Sequence, residues 1–412
     1  MQSTLRLVGQ PLIAAIPIEF ILFGLTLASV ALFHRHTLQC ALVGLATITL
    51  YKLSFANFAG VAGLAGLSTH LGHEWVVLSN LFALLVGFAL LAQHFEDSHL
   101  PARLPHYLPD DWKGGLALLG LVFVLSSFLD NIAAAMIGGT VAATVFRNRL
   151  HIGYLAAIVA ASNAGGSGSV IGDTTTTMMW IEGVSPLHVL HAYVAAIAAF
   201  CVFAIPASLQ QQRYSPIVTD DLAHVPIDGA RLVIVALILL AAAGTNIYIN
   251  LQMPERSEDF PFIGVAVVAT VLLTSPWRRP DWSLVPSAAR GSVFLLSLVL
   301  AASMMPVEEL PPASWINTLE LGFLSAVFDN IPLTKLALDA GGYDWGFLAY
   351  AVGFGGSMIW FGSSAGVALS NRFPESRSAL AWIRGGWHVV VGYVIGFFVL
   401  LLTLGWHPHP PH

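Results

Sequence analysis

Phe128-Leu129-Asp130-Asn131-Ile132 sets an acid and an amide in the middle of an oily run, and the motif returns as Val327-Phe328-Asp329-Asn330-Ile331. A glycine-rich break follows each copy. The first reads Gly165-Gly166-Ser167-Gly168-Ser169-Val170-Ile171-Gly172-Asp173-Thr174, the second Gly355-Gly356-Ser357-Met358-Ile359-Trp360-Phe361-Gly362-Ser363-Ser364. The breaks align without a gap on Gly-Gly-Ser-x4-Gly. The chain therefore reads as an internal repeat, each half carrying buried acids and an interrupted helix.

Of the 412 residues 56% are hydrophobic and 10% charged. Soluble domains carry about 25% charged residues, so this is an all-α integral membrane protein with multiple spans, lodged in the lipid bilayer (the plasma or inner membrane if the source is bacterial). The net charge of -6 is spread over loops and implies no nucleic-acid partner. Cys40 and Cys201 lie inside apolar runs and read as small core residues. Arg6 precedes the first apolar run, 11–33, which reads as a membrane helix rather than a cleaved signal.

Further spans are predicted near 38–55 and 75–95, while the Gly- and Ala-rich stretch 57–72 is too short for one. After a polar loop at 96–113, the apolar stretch 115–129 covers only about 22 Å of a hydrocarbon core of about 30 Å. Asp130-Asn131 stops it near mid-membrane, and 132–146 runs back to Arg147 and Arg149. A re-entrant hairpin (115–146) follows, its tip tolerated only if buried in protein or facing a wet cavity. Half-helices at 151–163 and 173–181 flank the first break, a span covers 187–209, and 210–230 is a polar linker. The second half repeats the plan. It has spans at 231–250, 261–275 and 291–307, a hairpin at 314–341, a broken helix at 345–371 and a last span at 386–405. Pro332 suits the start of a half-helix. The tail His407-Pro408-His409-Pro410-Pro411-His412 reads as disordered.

Loop charges orient the halves. Arg147 and Arg149 follow the first hairpin, whereas Gly341-Gly342-Tyr343-Asp344 after the second has no base. The loop after the first broken helix has none, and its counterpart holds Arg372, Arg377 and Arg384. By the positive-inside rule the halves, 1–209 and 231–412, are inverted, each with five crossings and one hairpin, and both termini lie outside.

Asp130, Asp173 and Asp329 sit at membrane depth, where each acid costs about 2.5–3.5 kcal/mol on insertion scales. A structural reading makes them caps of half-helices. The functional reading has them, with exposed carbonyls, bind a hard cation such as Na+ in exchange for H+. Asn131 and Asn330 add amide oxygens; Ser167, Ser169, Thr174, Ser357, Ser363 and Ser364 add hydroxyls. Thr175, Thr176 and Thr177 read as packing residues. Ser363 replaces the acid of Asp173, so the two positions are unequal. Lys335 pairs with Asp329 or another acid, or contacts an anionic substrate. Glu19 in the first span is shielded by a neighbouring helix, and His34, His36, His70, His73, His94, His99 and His106 read as solvated at span ends.

At these residues the chain resembles the ion transporter superfamily, which includes NhaD-type sodium/proton antiporters, ArsB-type arsenite pumps and citrate or dicarboxylate carriers. The runs that carry the resemblance are Asp130-Asn131, Asn163-Ala164-Gly165-Gly166, Ile171-Gly172-Asp173-Thr174-Thr175-Thr176 and Asp329-Asn330-Ile331-Pro332, most similar to the NhaD pattern. The resemblance adds Asn163 and Gly166 to the expected site, implies alternating access, and leaves homodimerisation open. Dicarboxylate carriers have Ser-Asn-Thr at the tips where this chain has Asp-Asn-Ile, and an anionic tip repels a carboxylate. A cation/proton antiporter is the leading expectation, without a cofactor, and a citrate, carboxylate or oxyanion carrier is the second. An intramembrane enzyme comes last, since Val170-Ile171-Gly172-Asp173 lacks the Gly-x-Gly-Asp signature of membrane aspartyl proteases.

Overall fold

The structure, a computed structural model, describes residues 17–33, 36–58, 60–103, 108–217, 226–253, 256, 259–307, 310–328 and 330–409. Asp329, the start of the chain to residue 16 and the middle of the linker (218–225) lie outside the described residues. The protein is an all-helical, integral, multi-pass membrane protein. Six helical stretches among the described residues are long and apolar enough to cross a membrane: Thr37–Phe55, Gly63–Asp97, Pro186–Tyr214, Gly229–Ile249, Trp282–Ser303 and Trp387–Leu404.

The first half runs α1 (Ile18–Leu32), α2 (Thr37–Phe55), α3 (Gly63–Asp97), α4 (Leu100–Arg103), α5 (Trp112–Ser126), α6 (Asn131–Val145), α7 (Ile152–Ser167), α8 (Thr174–Ile181), α9 (Pro186–Leu190) and α10 (Ala192–Tyr214). The second runs α11 (Gly229–Gln252), α12 (Phe262–Thr274), α13 (Val285–Ser303), α14 (Trp315–Ser325), α15 (Asn330–Ala340), α16 (Trp345–Gly355), α17 (Ser364–Arg372), α18 (Ala379–Gly385) and α19 (Trp387–Leu404). The order α5–α6–α7–α8 is matched by α14–α15–α16–α17, short helices of 8 to 16 residues.

Side-chain caps define where these short helices start. Asp111, Asp130 and His151 cap α5, α6 and α7 through Lys113, Ile132 and Gly153 N–H. Ser314, Asp344 and Ser363 do the same for α14, α16 and α17. Such acceptors satisfy backbone donors that a helix start leaves unpaired. Outside the membrane, a hydrogen bond from Arg278, helped by the Arg231 and Ala230 N–H groups, holds the Asp228 carboxyl at the start of α11 below the usual range. Arg231 also pairs with Asp97 at the end of α3, 3.0 Å away.

The centre is built from α7 and α16. Every residue of α16, and all of α7 after Ile152, is buried, as expected of a helix that is apolar all round. Around them pack α5, α6, α10, α14 and α19, with Phe203, Phe354 and Tyr393 among the buried rings. A second cluster joins α1, α2 and α13 through Phe23, Ile48 and Leu298. The backbones approach closely at two corresponding glycines. A Cβ on Gly165 would meet the Phe123 carbonyl, and one on Gly355 would meet that of Gly322. Gly165→Ala is expected to destabilise the protein by about 1–3 kcal/mol through overpacking against backbone, read as a lower melting midpoint in detergent.

Several expectations are corrected. The stretch 57–72 does not stand apart: from Gly63 it continues into the span predicted at 75–95, giving one 35-residue helix. Leu64, Leu67 and Leu71 extend its apolar surface across the glycines. The first break begins only at Gly168, because Gly165-Gly166-Ser167 remain helical against α5. The tail is placed as far as His409: His407 N–H donates to Asp344 Oδ2 (2.9 Å) and His409 N–H to the Tyr343 carbonyl (3.0 Å). Cys201 is exposed on α10 rather than in the core. His94 is buried against Arg231, 3.0 Å away, not solvated. Glu19 is half-buried in the first turn of α1.

Candidate functional site

Asp173 occupies the N-cap position of α8, yet its carboxylate makes no cap hydrogen bond. It turns inward instead. Asn131 Nδ2 donates to Asp173 Oδ1 (3.1 Å), and Thr175 Oγ1 donates to Oδ2 (2.8 Å). Asn330 Nδ2, from the other half, also reaches Oδ2 (3.5 Å). Asp173, Asn131, Asn330 and Thr175 are all buried. A carboxylate costs several kcal/mol to desolvate even after relaxation, and these donors offset part of that cost.

A second layer ties the breaks together. Asn163 Oδ1 accepts from Asn131 Nδ2 (3.1 Å), and Asn163 Nδ2 donates to Ser357 Oγ (3.0 Å) and Ser363 Oγ (3.2 Å). One amide of α7 thus spans the two broken helices. The first break is tied to the α5–α6 corner by Ser169, which donates to the Ser127 carbonyl (2.7 Å), and by Ser127, which donates to the Gly165 carbonyl (3.1 Å). In the second break Trp382 Nε1 donates to the Ser357 carbonyl (3.1 Å). Ser167 is buried beside the site and bonds its own helix at Ala164. Gly166 lies against Gly172 and Asp173, where a Cβ would crowd both.

Of the expected site residues, the structure brings together Asn131, Asn163, Gly166, Ser167, Asp173, Asn330, Ser357 and Ser363. Asp130 stands one residue away from Asn131 but does another job: it caps α6 and faces a cavity of about 940 Å³. The cavity runs along α6 from Asp130 to Thr140 and along α17 from Ser364 to Arg372, walled opposite by α3 and α13. Thr174 is half-buried and turns toward Asp130 rather than Asp173. Asp329 lies outside the described residues.

Lys335 is not in this group. Its described partners are acids other than Asp329: Asp339 Oδ1 at 2.9 Å, Glu182 Oε1 at 3.0 Å and Glu74 Oε2 at 3.4 Å. The turn of α15 aims it away from Asn330, toward α3 and the end of α8. The sequence does not single out Thr175 as a contact of Asp173, since four threonines in a row give no helical phase to choose among them. Thr176 and Thr177 do read as packing residues, donating to the Ser169 and Val170 carbonyls at 2.6 and 2.9 Å. Glu74 is not singled out by the sequence because it stands just ahead of the span predicted at 75–95.

No family model matches the chain. Curated proteins do. It is 26% identical over 336 residues to sodium/proton antiporter 1 of Arabidopsis thaliana, covering 72% of this chain and 57% of that protein. It is 26% identical over 329 residues to the Na(+)/H(+) antiporter NhaD of Vibrio cholerae, covering 68% of each. With NhaD of Halomonas elongata it shares 25% identity over 336 residues, 68% of this chain and 66% of the relative. The chain thus spans little more than half the length of the Arabidopsis protein and about two thirds of the bacterial ones.

Proposed function

We propose that the chain is an NhaD-like Na+/H+ antiporter that works by alternating access, with Asp173 as the ion-binding acid. The observation that carries this is the buried carboxylate of Asp173, ringed by the side chains of Asn131, Asn330 and Thr175. The names of the relatives support the same reading.

In the proposed cycle Asp173 holds either a proton or Na+. Asn131 and Asn330 donate to the bare carboxylate; half a turn of either amide presents its oxygen to a cation instead. The Ser357 and Ser363 hydroxyls, held by Asn163, and the carbonyls of the breaks supply further neutral oxygens, as a hard cation prefers. Asp130, facing the cavity, is the water-side acid next to that site. Asp329 is assigned to the equivalent place in the second half.

The matched order of short helices and the matched approaches at Gly165 and Gly355 support an inverted-topology repeat, 1–209 and 231–412 about the linker 210–230. In this reading α5–α6 and α14–α15 are re-entrant hairpins, and the arginine-bearing loops face the cytoplasm. A carboxylate carrier is not favoured, because Lys335, the contact proposed for an anion, is already surrounded by three carboxylates.

Everted vesicles energised by respiration provide the test. Addition of Na+ or Li+ is expected to dequench a pH-sensitive dye, and Asp130→Asn is expected to weaken the response. Silence toward Na+, Li+ and K+, with uptake of labelled citrate, would overturn the assignment.

A further inference from the structure

The ion cluster at Lys335 and the cavity lie at different levels along α3. On α3, the cavity is lined from Leu85 to Glu96 whereas Glu74 touches Lys335; 11 residues of helix separate Glu74 from Leu85, about 16 Å at 1.5 Å per residue. The candidate site is between the two. Both α8 and α15 begin at that site, at Asp173 and Asn330, and both end at the cluster, at Glu182 and Asp339.

The partners of Lys335 fall into two sets. Asp339 is on the same helix and Glu182 ends α8, which packs against α15. Glu74 alone belongs to α3, across the boundary. The Lys335 and Glu74 side chains are only 4% and 5% exposed, while those of Glu182 and Asp339 are 26% and 24% exposed. Three carboxylates face one ammonium, and Glu74 Oε2, though close to it, accepts no hydrogen bond. Among the described residues His73 of α3 acts on Glu74, and His70 of α3 feels Lys335 as well as Lys52 of α2. Lys52 is itself bonded to the Met304 carbonyl and His70 to Ser303.

We propose that Lys335, Glu74, Glu182 and Asp339 form a proton-operated latch between α3 and the α8–α15 pair, closed in this structure on the side opposite the cavity. A proton arriving past the half-wet rim of Glu182 and Asp339 binds the free lone pair of Glu74. That neutralises the one carboxylate across the boundary. Lys335 keeps two ion pairs on its own side, so α8 and α15 can leave α3 without stranding an ammonium in a dry interface. Deprotonation of Glu74 restores the pair and the seal. The latch rests on the alternating-access reading given above, but its test uses neither Na+ nor transport.

Reporter cysteines are placed in a Cys40→Ser/Cys201→Ser background: Leu338→Cys behind the latch, Ala92→Cys in the cavity wall, and Lys113→Cys on the surface to normalise thiol reactivity. Purified protein is labelled with a charged thiol reagent at an acidic and at an alkaline pH. Acidification is expected to speed labelling of Leu338→Cys by about tenfold and to slow that of Ala92→Cys, as a shift between two states requires. Glu74→Gln should label fast at Leu338→Cys at both pH values. Labelling that ignores pH in the unsubstituted cluster overturns the latch, and so does a rise at both reporters together, which marks loosening. Reciprocal labelling in a protein that fails the vesicle assay would keep the latch and remove the antiporter assignment instead.

Discussion

Asp173→Asn is expected to abolish cation-evoked proton movement while leaving the fold in place. The amide keeps the shape of the carboxylate and an oxygen for Asn131, so the network Asn131–Asn163–Ser357 can persist. What goes is the only full charge that the described residues bring into that network. That charge offsets much of what a monovalent ion loses on leaving water, and without it the few neutral oxygens of the site would have to do so alone. The half-saturating Na+ concentration should rise at least about 100-fold, equivalent to about 2.7 kcal/mol. Dye dequenching in vesicles and monodispersity in detergent check the two halves of the expectation. An Asp173→Asn variant with unaltered half-saturation would remove Asp173 from the proposed role.

Lys335→Met should produce the largest loss of stability among single substitutions at charged positions. Methionine fits the stem but leaves Glu74, Glu182 and Asp339 facing one another without a cation. Removing one partner of a buried ion pair costs about 3–5 kcal/mol. At about 2 °C per kcal/mol for a large chain, the melting midpoint in detergent should fall by about 6–10 °C. The double variant Lys335→Met/Glu74→Gln should recover part of that loss, since the most buried carboxylate is then neutral. Recovery is the informative result: a packing defect at residue 335 would not respond to residue 74.

Much of this arrangement was legible in the sequence because of duplication. Two copies of Asp-Asn-Ile and two Gly-Gly-Ser-x4-Gly breaks mark Asn131, Asp173, Asn330, Ser357 and Ser363 as companions. Asp130 reads the same as Asp173 in sequence, yet one carboxylate caps its helix and the other turns inward. That choice is made by the corner each occupies: the first has a free N–H at Ile132 within reach, the second has Asn131 and Thr175. The Lys335 cluster was only partly visible. Asp339 is four residues on, a helical neighbour, but Glu74 and Glu182 reach it from distant segments. Glycine-rich composition hides the first turns of α3, and with them Glu74, because glycine is a weak helix former.

The 35 residues of α3 rise about 52 Å, well beyond a hydrocarbon core of about 30 Å. Such a helix must slant or protrude, and the surrounding lipid has a say in which. Since this one rod carries Glu74 near its start and the cavity wall near its end, acyl-chain length becomes a control variable. Thinner bilayers would favour a steeper slant and thicker ones an upright rod, so turnover in defined lipids should track membrane thickness.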